Sequence, residues 1–386
     1  MLAASAAAQS PLTPKAQAGI AYLFDKAAMA NPLDCHVETR KPFLDFSFRY
    51  EIGYIVRCGI GQFNGAETRL GMLLRVTPLH GSPTVLGESF LLPAIPEEAK
   101  VRVNLKRLHA EVQFSGVYAA GEGAYENELV VTNEQNRIFR KTWRVRTAGW
   151  GLDANAPMAL KPLQIQAISL PQWQGSSGSG TGLRLTVLLD AAPAWPYSTA
   201  LRAWDRAFLL GSLSSLLRQL PLASVRIVAF NLDQQQEVYR DEDFDRYGIG
   251  ALAEALTKLE LGSVSYQVLQ RDRGWAELLR RLLREETGRA KPSDAVIFLG
   301  PAQRFRSSAE VADMTPVEPS IPVFYFEYSP HAGAEFPDAI EHLTRAFHGT
   351  TFKLHSPEDL AEALSKMQKK LARREGMRER MVETAP

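Results

Sequence analysis

Residues 183–195 read LRLTVLLDAAPAW, and the reading of this stretch decides the fold. A short, nearly continuous apolar run predicts a strand buried on both faces. It ends in an acid, Asp190, after which the chain turns through Ala191, Ala192, Pro193 and Ala194. The next segment, TALRAWDRAFLLGSLSSLLRQLP, predicts a long helix, with Leu201, Trp204, Phe208, Leu213, Leu216, Leu217 and Leu220 on one side. Ser198 or Thr199 is placed to cap it and Pro221 to stop it. SVRIVAFN reads as the next strand, with QEVYRDEDF returning antiparallel to it. GIGALAEALTKLEL and GWAELLRRLLREETG read as helices, the second ending at Gly288, with SVSYQVLQ extended between them. DAVIFLGP, IPVFYFEYSP and GTTFKLHS read as strands, alternating with the helical FPDAIEHLTRAFHG and PEDLAEALSKMQKKLARR. Apolar strands between amphipathic helices predict a parallel sheet covered on both faces.

Upstream of this stretch the period changes. QWQGSSGSGTG, residues 172–182, is Gly/Ser-rich and reads as a flexible linker. Before it, from about residue 35, alternating aromatic and β-branched segments such as FLDFSFRYEIGYIVRCGIGQF predict many short strands. NEQNR, residues 133–137, carries turn-forming Asn133 and Asn136 between two of them. The strand order resembles immunoglobulin-like domains, without their Cys–Trp–Cys arrangement. Ile20, Leu23, Phe24 and Ala27 fall at helical spacing, so residues 12–31 predict a short amphipathic helix.

The chain has 386 residues, enough for two domains with their own cores. Lys+Arg is 44 and Asp+Glu is 43, a formal net charge of +1. That balance gives no electrostatic ground for a nucleic-acid partner. No apolar run approaches the ~20 residues of a membrane span. At the N-terminus, a small-residue run ending in Ala6-Ala7-Ala8 before Gln9 fits a signal-peptidase site, although a basic, apolar leader does not precede it; the alternative is an Ala-rich tail. The first reading places the protein in the periplasm or outside the cell. There Cys35 and Cys58 are free to pair; otherwise they are two buried thiols.

The element order from residue 183 on, with VLLD ending the first strand and SVRIVAFN as the second, resembles the von Willebrand factor A (VWA) fold. The expected fold class is therefore an N-terminal all-β immunoglobulin-like sandwich plus a C-terminal α/β, doubly wound VWA-like domain. The expected boundaries are 1–8 for a signal-peptide remnant, 9–34 for an N-terminal helix or extension and 35–165 for the sandwich. Residues 166–182 form the linker, 183–372 the VWA-like domain and 373–386 a flexible tail. A sandwich ahead of such a domain, behind an export signal, resembles bacterial secreted VWA-related proteins. The resemblance implies a divalent-metal adhesion site, D-x-S-x-S after the first strand, completed by a Thr and by an Asp after the fourth strand. Asp190 matches its first position. Ala192 and Ala194 stand where the serines belong, and Leu299 stands where the Asp belongs. Mg²⁺ demands octahedral oxygen ligands and dehydrates reluctantly, so a lone carboxylate holds it poorly. No metal and no cofactor is expected. Asp190 then caps a turn or the following helix.

Other constellations carry less. GIGQFNG, 59–65, is flanked by strands and reads as a β-turn rather than a phosphate loop. DEDFD, 241–245, lacks the Gly and terminal Glu of an EF-hand loop. His331, His342, His348 and His355 have no nucleophile or acid at a recognisable spacing. In VFYFEYSP, Phe324, Phe326 and Tyr328 share one face and Tyr325 and Glu327 the other. Open α/β sheets bind ligands at the carboxyl ends of their strands, which singles out Asp190, Trp195, Tyr197, Tyr328 and Ser329 as the candidate binding residues. The leading expectation is a non-enzymatic exported scaffold that binds a protein partner. The alternatives are a metal-dependent adhesion module drawing on Asp233, Asp241 or Asp272, and an α/β enzyme of unknown chemistry.

Overall fold

The computed structural model describes residues 9–24, 32–63, 65–95, 110–147, 158–175, 182–195, 198–262, 266–271, 273–302, 321–329 and 338–383. The expected leader remnant 1–8, most of the Gly/Ser stretch, Tyr197, Asp272 and His331 lie outside them. The chain divides into two compact units, Met1–Ser169 and Leu170–Pro386.

The first unit is built on two antiparallel sheets. Its strands are β1 (Ser10–Pro11), β2 (Cys35–Thr39), β3 (Phe43–Leu44), β4 (Tyr50–Gly59), β5 (Thr68–Pro78) and β6 (Thr84–Leu92). They continue with β7 (Glu111–Ala120), β8 (Gly123–Asn133), β9 (Ile138–Thr147) and β10 (Ile165–Ala167). One sheet runs β1-β6-β5-β8-β9; the other runs β10-β7-β4-β2, with β3 also paired to β4. Period-two alternation sends Ile52, Tyr54 and Val56 of β4 and Leu70, Met72 and Leu74 of β5 into one shared core. At the β8–β9 turn, Asn136 takes a positive φ of 54° and Asn133 Oδ1 accepts from the Gln135 and Arg137 amides. Ahead of the strands, α1 (Pro14–Ile20) is continued by a 3₁₀ turn, Ala21–Phe24. Leu23 and Phe24 pack on Leu73, Val85, Val130 and Ile138, on the sheet's outer side, with the Arg75 guanidinium 4.5 Å from the Phe24 ring centroid. The expected single helix over 12–31 is thus replaced by a shorter one and a 3₁₀ turn in the described part.

The second unit carries β11 (Leu183–Asp190), α2 (Ala203–Gln219), β12 (Leu222–Asn231), β13 (Gln236–Asp241), α3 (Gly248–Lys258), α4 (Tyr266–Leu269) and α5 (Gly274–Thr287). After these come β14 (Ala295–Pro301), β15 (Val323–Tyr328), α6 (Ala339–Ala346), β16 (Thr350–Leu354) and α7 (Pro357–Glu383). Its sheet runs β13-β12-β11-β14-β15-β16, parallel throughout except for the antiparallel β12–β13 pair. On one face, Leu188, Phe230, Phe298 and Tyr325 form a core with Leu279 and Leu282 of α5 and Ile340 and Leu343 of α6. On the other, α2 and α7 lie together, tied by the Gln368 amide donating to the Gln219 carbonyl at 2.7 Å.

These observations correct the expected fold class. Among the described residues strand outweighs helix, 41% against 28%, and the strands form three sheets. The first unit is not immunoglobulin-like: Cys35 and Cys58 are bonded to each other, but they face each other on neighbouring strands of one sheet instead of bridging two. The second unit lacks the ligand set that marks a VWA domain, as shown below. Three local expectations also change. α2 begins at Ala203, four residues after Thr199, because the carboxylate of Asp205 holds its start. Within SVSYQVLQ, Tyr266–Leu269 is helical rather than extended. The helix before the tail runs on to Glu383.

Candidate functional site

The carboxyl edge of the six-stranded sheet is the place to look, since β11, β14 and β15 all deliver their last residues there. Strand parity divides that edge into two sides.

On the side facing α5 and α6 stand Asp190, Gly300, Tyr325 and Glu327. Asp190 is fully buried, the last residue of β11, and Gly300 presses against it: a Cβ at Gly300 would lie 2.6 Å from Asp190 Cβ. The chain after Asp190 is fixed by Ala191, whose amide donates to the Phe230 carbonyl at 2.7 Å and whose carbonyl accepts from Asn231 Nδ2 at 2.8 Å. Tyr325 Oη lies 3.1 Å from Asp338 Oδ2 and 3.2 Å from the Pro301 carbonyl. Asp338 caps α6, its Oδ1 accepting from the Ile340 and Glu341 amides at 2.6 and 3.0 Å. Burial pushes the Tyr325 hydroxyl well above its ordinary value, helped by the charges of Asp338, Glu327 and Asp190. Burial likewise pushes Glu327 up to about 7, with Asp338 adding to the rise and Lys353 opposing it.

This side does not fit the divalent-metal site that the VWA resemblance implies. Ala192 is buried and Ala194 half-buried, and neither side chain carries an oxygen. Leu299 is buried and, one residue out of phase with Gly300, points to the opposite face. The alternative ligands do not converge either. Asp233 is exposed in the β12–β13 turn. Asp241 pairs in register with Ile227, three residues before Asp190's partner Phe230, and its carboxylate serves Tyr239 Oη and the Asp243 amide. Among the described residues, no group of three His, Cys, Asp or Glu is placed to hold a metal ion. Two other acids of DEDFD are also engaged: Asp245 accepts from the Tyr247 and Gly248 amides, and Glu242 pairs with Arg226, Arg240 and Arg289.

The side facing α2 is aromatic. Tyr328 is buried, its ring stacked on Phe208 with centroids 4.0 Å apart, and its hydroxyl accepts from Trp204 Nε1 at 3.0 Å. Phe208 and Trp204 are one helical turn apart on α2, so both reach the same strand end. Trp204 nevertheless stays 48% exposed, although its spacing had assigned it to the helix's apolar side. Trp195 is equally exposed at 48%. Asp205 holds the start of α2: its two oxygens accept from the Ala194 amide at 3.0 Å and the Arg202 amide at 2.8 Å. That carboxylate bonds the backbone of Ala194, the residue before Trp195, from Asp205, the residue after Trp204. Ser329 is half-buried; its amide donates to the Leu354 carbonyl and its carbonyl lies 2.6 Å from His355 Nδ1. A carbonyl only accepts, so the contact selects the Nδ1–H form of His355. Trp204, Phe208 and His355 escape sequence reasoning as site residues. The signal for Trp204 was present, since Trp204 and Asp205 open the helix where a wholly apolar stripe does not need them. His342 is half-buried on α6 and His348 exposed after it.

No family model matches the chain, and no curated protein matches it. Among solved structures, it is similar to a putative ApaA protein from Bordetella pertussis at 11% identity, covering 31% of this chain and 98% of that one, with a TM-score of 0.19. It is similar to a β-glucuronidase from Bacteroides uniformis at 11% identity, 83% of this chain and 45% of that one, TM-score 0.20. It is also similar to a β-glucosidase from Listeria innocua at 9% identity, 31% of this chain and 16% of that one, TM-score 0.18. At these TM-scores the likenesses carry no argument about activity.

Proposed function

We propose that this chain is a non-enzymatic scaffold that binds a protein partner, in the periplasm or outside the cell, through the aromatic side of the sheet's carboxyl edge. The observation that carries the reading is the half-exposed indole of Trp204, held by the Tyr328 hydroxyl over Phe208, with a second half-exposed indole, Trp195, next in sequence to Ala194, whose amide Asp205 binds. Tryptophan is the residue most enriched at the centres of protein interfaces, and a rigid base lowers the entropy lost when a partner orders it. The Cys35–Cys58 bond supports an oxidising compartment, where such bonds persist. No helix among the described residues is long and apolar enough to cross a membrane.

The test is crosslinking in the native host with a photoreactive group at residue 195, comparing the wild-type chain with Trp204→Ala. The proposal expects a discrete protein adduct that Trp204→Ala weakens at least tenfold while the far-ultraviolet circular dichroism spectrum is unchanged. An adduct pattern identical in both proteins removes Trp204 from the binding face and overturns the reading.

A further inference from the structure

The interior of the first unit holds polar groups that the binding face does not use. β1 lies antiparallel against β6, with Ser10 opposite Gly87 and Pro11 opposite Leu86. Extended by one residue beyond the paired strand, that register sets Gln9 opposite Glu88. Glu88 alternates with the buried Leu86 and Phe90, so it belongs to the inner face of β6. Gln9 is 1% exposed, and its Nε2 donates to Tyr54 Oη at 2.6 Å. Side chains directly opposite on antiparallel strands stand about 5 Å apart at Cβ. Tyr54 reaches this place because β7 offers no side chain beneath it: a Cβ at Gly116 would lie 2.3 Å from the Tyr54 hydroxyl.

The donors and acceptors here do not balance. Gln9 Oε1 and both carboxyl oxygens of Glu88 are buried, and none has a hydrogen-bond partner among the described residues. All three are acceptors when Glu88 is ionised. Leaving buried acceptors without a donor costs more than the bond itself is worth. The strands around Glu88 present no cation to its side: β5 offers Leu70, Met72 and Leu74, β4 offers Ile52, Tyr54 and Val56, and β7 offers Phe114 and Tyr118. Burial holds Tyr54 and Tyr118 neutral far above physiological pH. The simplest donor is a proton on Glu88 itself.

We propose that Glu88 and Gln9 form a proton-operated clasp: protonated Glu88 donates its carboxyl hydrogen to Gln9 Oε1 and holds the arm 9–12 on β6, and loss of that proton to solvent frees the arm. Burial pushes Glu88 up to about 7, which places the transition in the physiological range. The sign follows from linkage. The docked state binds the proton more tightly than the released state, so docking is strongest below the ordinary carboxylate value and weakens as pH rises through about 7. Release uncovers the edge of β6, where the Leu12 amide now donates to the Val85 carbonyl at 2.9 Å.

That amide is the reporter. Hydrogen–deuterium exchange of the full chain, corrected for intrinsic rates, is followed at Leu12 from pH 5 to pH 8, with the Val130 amide of β8 as the control. The clasp predicts that Leu12 protection falls about tenfold or more in the wild type while Val130 protection holds. Glu88→Gln supplies an amide donor at every pH, so its Leu12 protection stays flat. Flat wild-type protection overturns the proposal, because it means that the Gln9 amide is turned to donate to an ionised Glu88. An equal fall in Glu88→Gln overturns it as well.

Discussion

Replacing Gly300 by alanine tests whether Asp190 is a packed structural residue. The new Cβ would lie 2.6 Å from Asp190 Cβ, 3.1 Å from the Asp190 carbonyl oxygen and 3.3 Å from its Cα. Carbon atoms rest about 3.5–4.0 Å apart, so the first contact is about 1 Å too short. The obstructing atoms are backbone and Cβ of β11, a central strand flanked by β12 and β14, and no rotamer change moves them. Overpacking of this kind costs about 1–3 kcal/mol, and an obstacle without a flexible end puts Gly300→Ala near 3 kcal/mol. For a unit of roughly 200 residues that is a fall in Tm of about 6–12 °C. Urea unfolding followed by circular dichroism measures it, with Gly250→Ala as the contrast. Gly250 sits in α3, where an added Cβ would meet nothing within 4 Å, so alanine there is expected to stabilise by about 0.5 kcal/mol. If Gly300→Ala lies within about 0.5 kcal/mol of the wild type, the effect of an ordinary surface substitution, then Asp190 has free space on that flank and the packed reading fails.

Two further outcomes are expected. Glu286, 1% exposed, accepts from Thr186 Oγ1 at 2.8 Å and Arg226 Nη1 at 2.6 Å and pairs with Arg289, so Glu286→Ala should cost about 3 kcal/mol in urea unfolding. A loss below about 1 kcal/mol would show that Glu242, which also pairs with Arg226, suffices alone. Asp338→Asn keeps a carbonyl oxygen to cap α6 but removes the charge that helps to hold Glu327 near pH 7. The Glu327 carboxyl signal in an NMR titration should move down from about 7 toward its ordinary 4.5. Because the raised value weakens the fold as pH rises through about 7, the loss of stability between pH 5 and pH 8 should shrink in the same variant. An unmoved midpoint would show that burial alone sets it.

The strand LRLTVLLD and the Asn133–Arg137 turn were legible because their signals are local: an unbroken apolar run, and side chains that bond their own backbone. Asp190 was visible as the end of a strand, but the acid that holds the start of α2 was not, because helix capping depends on which carboxylate lies nearest. Asp205 wins that place from inside the first turn of α2. SVSYQVLQ was misread because β-branched residues favour strands only where a neighbouring strand covers them. The pairing of Cys35 with Cys58 stayed open because register, not spacing, brings two cysteines opposite each other. The sandwich was given too specific a name for the same reason, since strand order within sheets is set by long-range pairing that period-two patterns do not encode.

β15 shows how one short strand can separate structure from binding. In VFYFEY, alternate side chains go to opposite faces of the sheet. Tyr325 and Glu327 go to the α5–α6 side, where the Tyr325 hydroxyl meets the carboxylate that caps α6. The Tyr325 hydroxyl is thereby spent on holding β15 to the start of α6, and both side chains are buried. Tyr328 goes to the α2 side, where its hydroxyl is used to hold an indole that remains half in water. Keeping a large apolar ring in water is unfavourable, so the exposed half of the Trp204 indole gains free energy by being covered. The same parity sets Asp190 and Tyr328 on opposite sides of the sheet, and under the proposed reading it makes Trp204 rather than Asp190 the residue whose loss should separate binding from folding.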